Sequence, residues 1–352
     1  MLLSAVVTIG TLLGSASATT AKLTAVISGD FNITNYRLYP ENSDYDSRNK
    51  KLYLGSNFNA SVLEYDPFTT QQKVITFEGI TGNSNYHISG VDYDSYTGYV
   101  YFSANAGEPF VSRGANLTGS NKLIKYDPVA GKVVWEASMD NFAATVEKET
   151  GSAVNGFEDM EQDASGNCYY SAAYGGAIAK VSSGGEVTSF YVPKHINNSV
   201  ASYQGLVWTN NKLIAHDDSV SQLVYFDTTS TSPEPVNITT TGLPSTLVLD
   251  CDGLYFPPKY NNKILLCSSD SQDAIYVFKS SDVWRTTRFL GSVANPITGS
   301  ALPTSTVQIE QSIYINEEYF LDSGAFDAAG NRSVFPYVDI TSKVASLANA
   351  HS

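Results

Sequence analysis

At 352 residues, with 42% hydrophobic and only 16% charged side chains, the chain has ample apolar material for a packed core. A net charge of −14 without any basic cluster excludes nucleic acid and an anionic membrane surface as expected partners. The 23 tyrosines and the scarcity of helix formers favour strands.

In chain order, MLLSAVVTIGTLLGSASA is an apolar run ending in Ala16-Ser17-Ala18, which predicts a signal peptide over residues 1–18 despite the lack of a leading Lys or Arg. The run is too short for a membrane span and no later segment qualifies, so a secreted or secretory-pathway protein is expected, with residues 19–352 as one domain. Residues 22–29, KLTAVISG, read as an isolated strand. Six segments then repeat one pattern of strand, turn, strand, loop, strand, turn, strand. The first is ENSDYDSRNKKLYLGSNFNASVLEYDPFTTQQKVITF, and the second runs from SGVDYDSYTGYVYFSAN through a long loop to NKLIKYDPVAGKVVWEAS. An insertion over residues 139–154, with a short amphipathic piece around 145–149, precedes the third, FEDMEQDASGNCYYSAAYGGAIAKVSSGGEVTSFYV. The fourth, QGLVWTNNKLIAHDDSVSQLVYFDTTS, closes with a strand around 236–239, and the fifth is DGLYFPPKYNNKILLCSSDSQDAIYVFKSSDVWRTTRFLGS. The sixth, QSIYINEEYFLDSGAFDAAGNRSVFPYVDI, reads as one strand short.

Each copy alternates apolar and polar residues between Gly, Asn or Asp turns. The second-strand anchors Tyr53, Tyr101, Tyr169, Leu213, Leu265 and Phe320 lie about one propeller blade apart. A four-stranded sheet cannot bury both faces alone, so the six copies predict an all-β fold, a six-bladed β-propeller whose ring is closed by the N-terminal strand of residues 22–29. A β-sandwich is the alternative, and the regular repeat counts against it. A monomer is the default expectation for such a closed ring, though the sequence gives no oligomeric state.

The cysteines and the glycosylation signals suit the secretory pathway. Cys251 and Cys267 flank one predicted hairpin and could pair across it, leaving Cys168 as a buried apolar residue. Asn-x-Ser/Thr sequons at Asn32, Asn59, Asn116, Asn197, Asn237 and Asn331 fall beside predicted turns and predict N-glycans.

In a propeller, the loops before first strands and after second strands meet at one mouth of the central channel. Aligning the copies places Glu41, Ser89, Glu158, Gln204, Asp252 and Gln311 there, and the second-strand loops add Asn57, Asn105, Tyr174, Asp217, Asp218, Asp270 and Asp322. His87 and His216 fall in the same two classes of loop. Shifting the third copy would put Asn155 in place of Glu158, because Asn155-Gly156 mimics Gln204-Gly205 and Asp252-Gly253. Water-holding polar linings explain Gln204, Gln311 and Ser89 as readily as binding does, and Asp217, Asp218, Asp270 and Asp322 fit turn caps. The adjacent pair Glu158-Asp159 is different: two carboxylates entering a narrow channel repel, which raises one pKa and readies it for acid–base work. The catalytic candidates are therefore Glu158, Asp159, His87, His216 and Asp252, with Asn155, Tyr174, Gln204, Glu41, Gln311 and Asp217 as candidates for binding a small-molecule substrate. Asp92 and Asp94 in VDYD read as turn pins.

Two chemistries fit. Without a metal or other cofactor, one carboxylate takes a proton from a hydroxyl while another protonates a leaving group, suiting ring closure or isomerisation of an apolar oxygenated compound. Alternatively, oxygens of Glu41, Asn155 or Glu158, and Asp252 hold Ca²⁺, which polarises a lactone or ester. A non-catalytic binding propeller, an effector or lectin using the loop of residues 105–120, is the third class. No G-x-S-x-G elbow, phosphate loop or H-E-x-x-H motif occurs.

At NGFEDMEQDASGNCYYSA, YQGLVWTNNKLIAHDD and LLCSSDSQDAIYVFKSSDVW the chain resembles the fungal core trichothecene-cluster proteins, a family described as secreted six-bladed propellers, over about residues 23 to 340. The resemblance implies a role in terpenoid mycotoxin biosynthesis or virulence, and names no reaction. More distantly, Asn155-Gly156 and Asp252-Gly253 look like the divalent-cation ligands of the gluconolactonase and senescence-marker propellers, with Glu41 standing for the first-blade Glu. Gln204 departs from that pattern, in a blade where those enzymes favour Asn.

Overall fold

Six antiparallel sheets follow one another along the chain, one per repeat, in a computed structural model that describes residues 27–325 and 330–350. The predicted signal peptide lies outside the described residues. The first strands are Ser43–Asp46, His87–Tyr93, Asn155–Gln162, Tyr203–Thr209, Gly253–Tyr255 and Leu302–Ile309. Each touches the first strand of the next blade, and the sixth returns to the first, so they form a closed ring around an axis. Each pairs with a second strand: Lys51–Ser56, Val100–Asn105, Cys168–Tyr174, Lys212–Asp217, Ile264–Ser269 and Ser312–Glu318. The arrangement is a six-bladed β-propeller.

The period-2 pattern explains the ring. Within one strand, Leu52 and Leu54 pack toward the sixth blade while Tyr53 packs toward the second. Likewise Cys168 and Tyr170 face the second blade, and Tyr169 faces the fourth. Each blade thus buries both faces, and every interface between neighbouring blades carries its own apolar cluster. Each fully buried large side chain in these layers contributes roughly 1.5–3 kcal/mol.

Closure uses an N-terminal strand, but a different one from residues 22–29. Phe31–Thr34 pairs antiparallel with Val334–Asp339, the third strand of the sixth blade. Residues 27–30 are not in a strand, and residues 22–26 lie outside the described residues. The sixth repeat is also read one strand too late in the sequence. Leu302–Ile309 is its first strand and Ser312–Glu318 its second, so Phe320 is not a strand anchor and Tyr314 fills that role. The signal was hidden because the turn at Glu310-Gln311 has no glycine, although Glu310 takes a φ of 54°, and because LPTSTVQI opens with a proline and small polar residues.

The insertion holds the helix Asp140–Thr150, longer than predicted, ended by Gly151 in the left-handed conformation. Its Phe142 meets Phe157 edge-on at 5.9 Å. Two features were not anticipated: a helix, Thr341–Ala350, whose Val344 and Ala348 pack on the fifth and sixth blades, and a parallel strand, Thr239–Thr241, that crosses from the fourth blade to the edge of the fifth. Cys251 and Cys267 form a disulfide, and Cys168 is free and buried. All six sequon asparagines are exposed. No helix among the described residues is long and apolar enough to cross a membrane.

Candidate active site in the channel

The first strands of the second, third, fourth and sixth blades each carry a register shift at the same level. A bulge lets neighbouring residues escape strict alternation, and in the third blade it brings both Glu158 and Asp159 to the channel. The carbonyls it frees find new donors. Ser103 Oγ and Tyr170 OH donate to the Phe157 carbonyl at 3.0 and 3.1 Å, and Ser171 Oγ donates to that of Asp159 at 3.3 Å.

Glycines draw the strands together at this level. A Cβ on Gly90 would strike the Glu158 carbonyl, one on Gly205 the Leu254 amide, and one on Gly253 the Thr304 carbonyl. This waist divides the channel into two chambers, with Glu158 and Asp252 lining one while Asp159 and Gly253 line the other.

The chamber at the predicted mouth has a volume of about 220 Å³. It gathers Glu41, Ser89, Glu158, Gln204 and Asp252 from before or within first strands, and Asn57, Asn105, Tyr174 and Asp270 from the ends of second strands. His87 lines it too, with Phe110 and Phe320 as apolar neighbours. Glu41 is anchored through its carbonyl, which accepts Thr304 Oγ1 at 2.5 Å and Asn316 Nδ2 at 2.7 Å from the sixth blade. Gln204 Nε2 donates to Asp252 Oδ1 at 3.2 Å. Oxygens of Glu41, Asn57, Ser89 and Asn105 have no hydrogen-bond partner among the described residues, although these residues are only 1–5% exposed.

Among the described residues no lysine or arginine lines the chamber, so its carboxyls resist ionisation together. Burial raises Glu41 well above the usual range, helped by the charges of Glu158 and Asp252. Burial likewise raises Glu158, with Asp159 and Asp270 adding, and Asp252, with Asp270 and Glu158 adding. Glu158 and Asp252 keep some water-accessible surface, which fits carboxyls bordering a cavity enclosed by protein. Asp270 is raised by burial and the charge of Asp250, and a hydrogen bond from the Ser271 backbone N–H checks the rise. Asp159 goes up to about 6 through burial, opposed by the Gly205 N–H, which donates to its Oδ2 at 2.5 Å. His87 falls to about 4 because its ring is buried, so its imidazole is neutral near pH 7.

Other candidates lie elsewhere. Glu158 takes the channel position, not Asn155. Asn155 ties the loop of residues 105–121 to the third blade: its Nδ2 donates to the Leu117 and Gly119 carbonyls at 2.8 and 3.0 Å, and its Oδ1 accepts from Asn121 Nδ2 at 2.7 Å. His216 is fully buried outside the chamber lining, with Nδ1 3.1 Å from Asp218 Oδ1 and 3.3 Å from the Cys251 N–H. Asp217 caps its own turn, accepting from the Ser219 amide and hydroxyl. Asp322 pairs with Arg332 Nε at 2.7 Å. Gln311 is exposed at the first hairpin turn of the sixth blade, away from the mouth, a correction that follows from the misread register there.

That same misreading hid Glu317 and Glu318. Glu318 is fully buried, neither carboxyl oxygen has a partner among the described residues, and burial raises it well above the usual range. Aligning YINEE on YFSAN of the second blade would have found it.

A closed ring of bulged strands around a carboxyl-rich axis defines a six-bladed propeller with an acidic channel site. Residues 18–297 match the model of the family described as Mal s 1 allergenic protein-like, and the chain belongs to that family. It is 28% identical over 337 residues to trichothecene biosynthesis protein 14 of Trichoderma arundinaceum, covering 91% of this chain and 90% of that one. It is 27% identical over 336 residues to core trichothecene cluster (CTC) protein 14 of Fusarium sporotrichioides, covering 90% and 86%. These relatives are the group that the repeat motifs resemble. Among solved structures, the allergen Mala s 1 of Malassezia sympodialis superposes with a TM-score of 0.78 at 19% identity, over 89% of this chain and 96% of that one. A gluconolactonase of Xanthomonas campestris superposes at 0.53 with 12% identity, over 88% and 89%. At these identities both show the fold alone.

Proposed function

We propose that the chain acts in the biosynthesis of a fungal terpenoid metabolite, as a cyclase or isomerase working by carboxyl acid–base chemistry in the mouth chamber. The observation that carries this reading is the crowding of Glu41, Glu158, Asp252 and Asp270 into one chamber without a cationic side chain. Glu158 holds a proton and is the general acid; Asp270, whose rise is checked by an amide, stays ionised more readily and is the base. In a dehydrative ring closure, a substrate hydroxyl oxygen attacks a carbon of the same molecule and gives its proton to Asp270. The C–O bond to a leaving hydroxyl breaks as that oxygen takes the Glu158 proton and departs as water. Phe110 and Tyr174, edge to face at 5.8 Å, offer an apolar wall to hold the reactive conformer. The metabolite class is supported by the two relatives, one named for trichothecene biosynthesis and the other for the core trichothecene cluster.

The test is turnover of oxygenated terpenoid precursors by purified protein. Glu158→Gln should lower the rate by about 10²–10⁴-fold, and undiminished turnover by a Glu158→Gln/Asp252→Asn double variant rejects the mechanism.

A second reading is a Ca²⁺-dependent lactonase, favoured by the unpartnered oxygens of Glu41, Asn57 and Asn105. Such oxygens, with Glu158 and Asp252, suit a hard cation, which would polarise a lactone carbonyl. Against it, no three His, Cys, Asp or Glu side chains among the described residues are arranged to hold a metal. Lactone hydrolysis that disappears with chelator and returns with Ca²⁺ selects this reading; chelator-resistant turnover rejects it. We also propose passage through the secretory pathway, supported by the six exposed sequons and the disulfide. A mass loss on enzymatic deglycosylation of the fungal protein tests that.

A further inference from the structure

The larger chamber lies beyond the waist, at the end where first strands turn into second strands. Its volume is about 550 Å³, within the ~300–1,000 Å³ typical of small-molecule sites. Among the described residues no Lys, Arg or His lines it, so it does not suit phosphate or carboxylate ligands. Its lining combines aromatic rings with oxygen-bearing side chains. Tyr96, 53% exposed, stands edge-on to Trp208 at 5.9 Å on its lining.

Several polar groups here are left with bonds to make. Thr306 is 3% exposed, and its Oγ1 has no partner among the described residues. Asp92 Oδ2 is likewise unpartnered. Tyr255 OH accepts the Gln308 N–H at 3.0 Å, which leaves its own hydrogen to give. Asp44 is satisfied by the Tyr45 and Tyr93 amides at 2.7 and 2.8 Å. These groups can both give and accept hydrogen bonds, and they sit beside flat aromatic faces. Neutral sugars present that complement, with hydroxyls around the ring edge and C–H bonds on its faces.

We propose that this chamber is a second binding site, for a neutral mono- or disaccharide, anchored by Asp92, Thr306 and Tyr255 and stacked against the aromatic wall. The site stands independently of any reaction at the mouth.

Calorimetric titration of the full glycosylated protein with maltose, cellobiose and N,N′-diacetylchitobiose, up to about 10 mM to reach a Kd near 1 mM, tests it. Saturable binding of at least one is expected. Asp92→Ala and Thr306→Val, each checked for an unchanged melting profile, should each weaken it about tenfold, the loss of one good hydrogen bond. Glu158→Gln should leave it unchanged. A glycoprotein bearing oligomannose chains, compared with its deglycosylated form, forms a second arm; binding only there identifies the source as a macromolecular glycan. The proposal is overturned if neither arm binds, if choline binds and the sugars do not, or if binding is lost in Glu158→Gln but kept in Asp92→Ala.

Discussion

Replacing Asp159 by asparagine should stabilise the protein, and only at neutral and alkaline pH. Burial lifts this carboxyl from 3.8 to about 6. A carboxyl whose folded pKa exceeds its unfolded one holds more protons when folded, so its unfavourable contribution is absent below pH ~4 and grows as pH rises toward 6. The gap between 3.8 and about 6, at about 1.36 kcal/mol per pH unit, corresponds to roughly 3 kcal/mol above pH 6. Asparagine keeps an oxygen for the Gly205 N–H and carries no charge. At about 2 °C per kcal/mol for a chain of this size, Asp159→Asn should melt about 6 °C above the wild type at pH 8 and near it at pH 4. Parallel thermal melts by circular dichroism across pH 4–8 measure this. A difference that stays constant with pH, or a wild type that gains relative to the variant as pH rises, refutes the electrostatic account of the channel.

Removing the Cys251–Cys267 bond with a double serine variant should cost about 3 kcal/mol, read as a lower melting temperature that reductant no longer changes. Gly90→Ala, whose Cβ would strike the Glu158 carbonyl, should destabilise strongly and expose apolar surface to a dye, whereas Gly184→Ala, whose Cβ would meet nothing nearer than Ser182 Oγ at 3.8 Å, should be mild. Phe142→Ala in the inserted helix should cost about 3–5 kcal/mol by urea denaturation, since the ring is buried between two blades.

The blades were readable because their hairpins carry Gly, Asn or Asp at turns and their strands alternate. Where a turn lacked that chemistry, at Glu310-Gln311, the reading slipped by one strand and lost Glu318 with it. The mouth residues were legible as one position per repeat, which is why Glu41, Ser89, Glu158, Gln204 and Asp252 meet in one chamber. The choice between Asn155 and Glu158 was not, because it depends on a bulge, and a bulge shifts facing without changing composition. Asp94 does pin its turn, accepting the Tyr96 and Thr97 amides at 2.9 and 3.1 Å. Asp92, two residues earlier, looked equivalent and instead borders the larger chamber, a distinction made only by packing against Asp44 of the neighbouring blade.

Closure between Phe31–Thr34 and Val334–Asp339 sets the order of events during synthesis. The closing strand is among the first parts made, yet Phe31 must wait for Tyr337, about 300 residues later, before it has a partner. Until then five blades form an arc with bare edges, the state in which chaperone capture matters most. The antiparallel register also puts Phe31 beside Tyr337 and Thr34 beside Val334, so a load applied at both chain ends would peel the pairs apart singly instead of shearing them together. At that vulnerable end, Asp339 Oδ2 accepts the Gly29 N–H and Asp30 Oδ1 accepts the Asp339 N–H, each at 2.8 Å. Two small latches therefore guard the seam on which the whole ring depends.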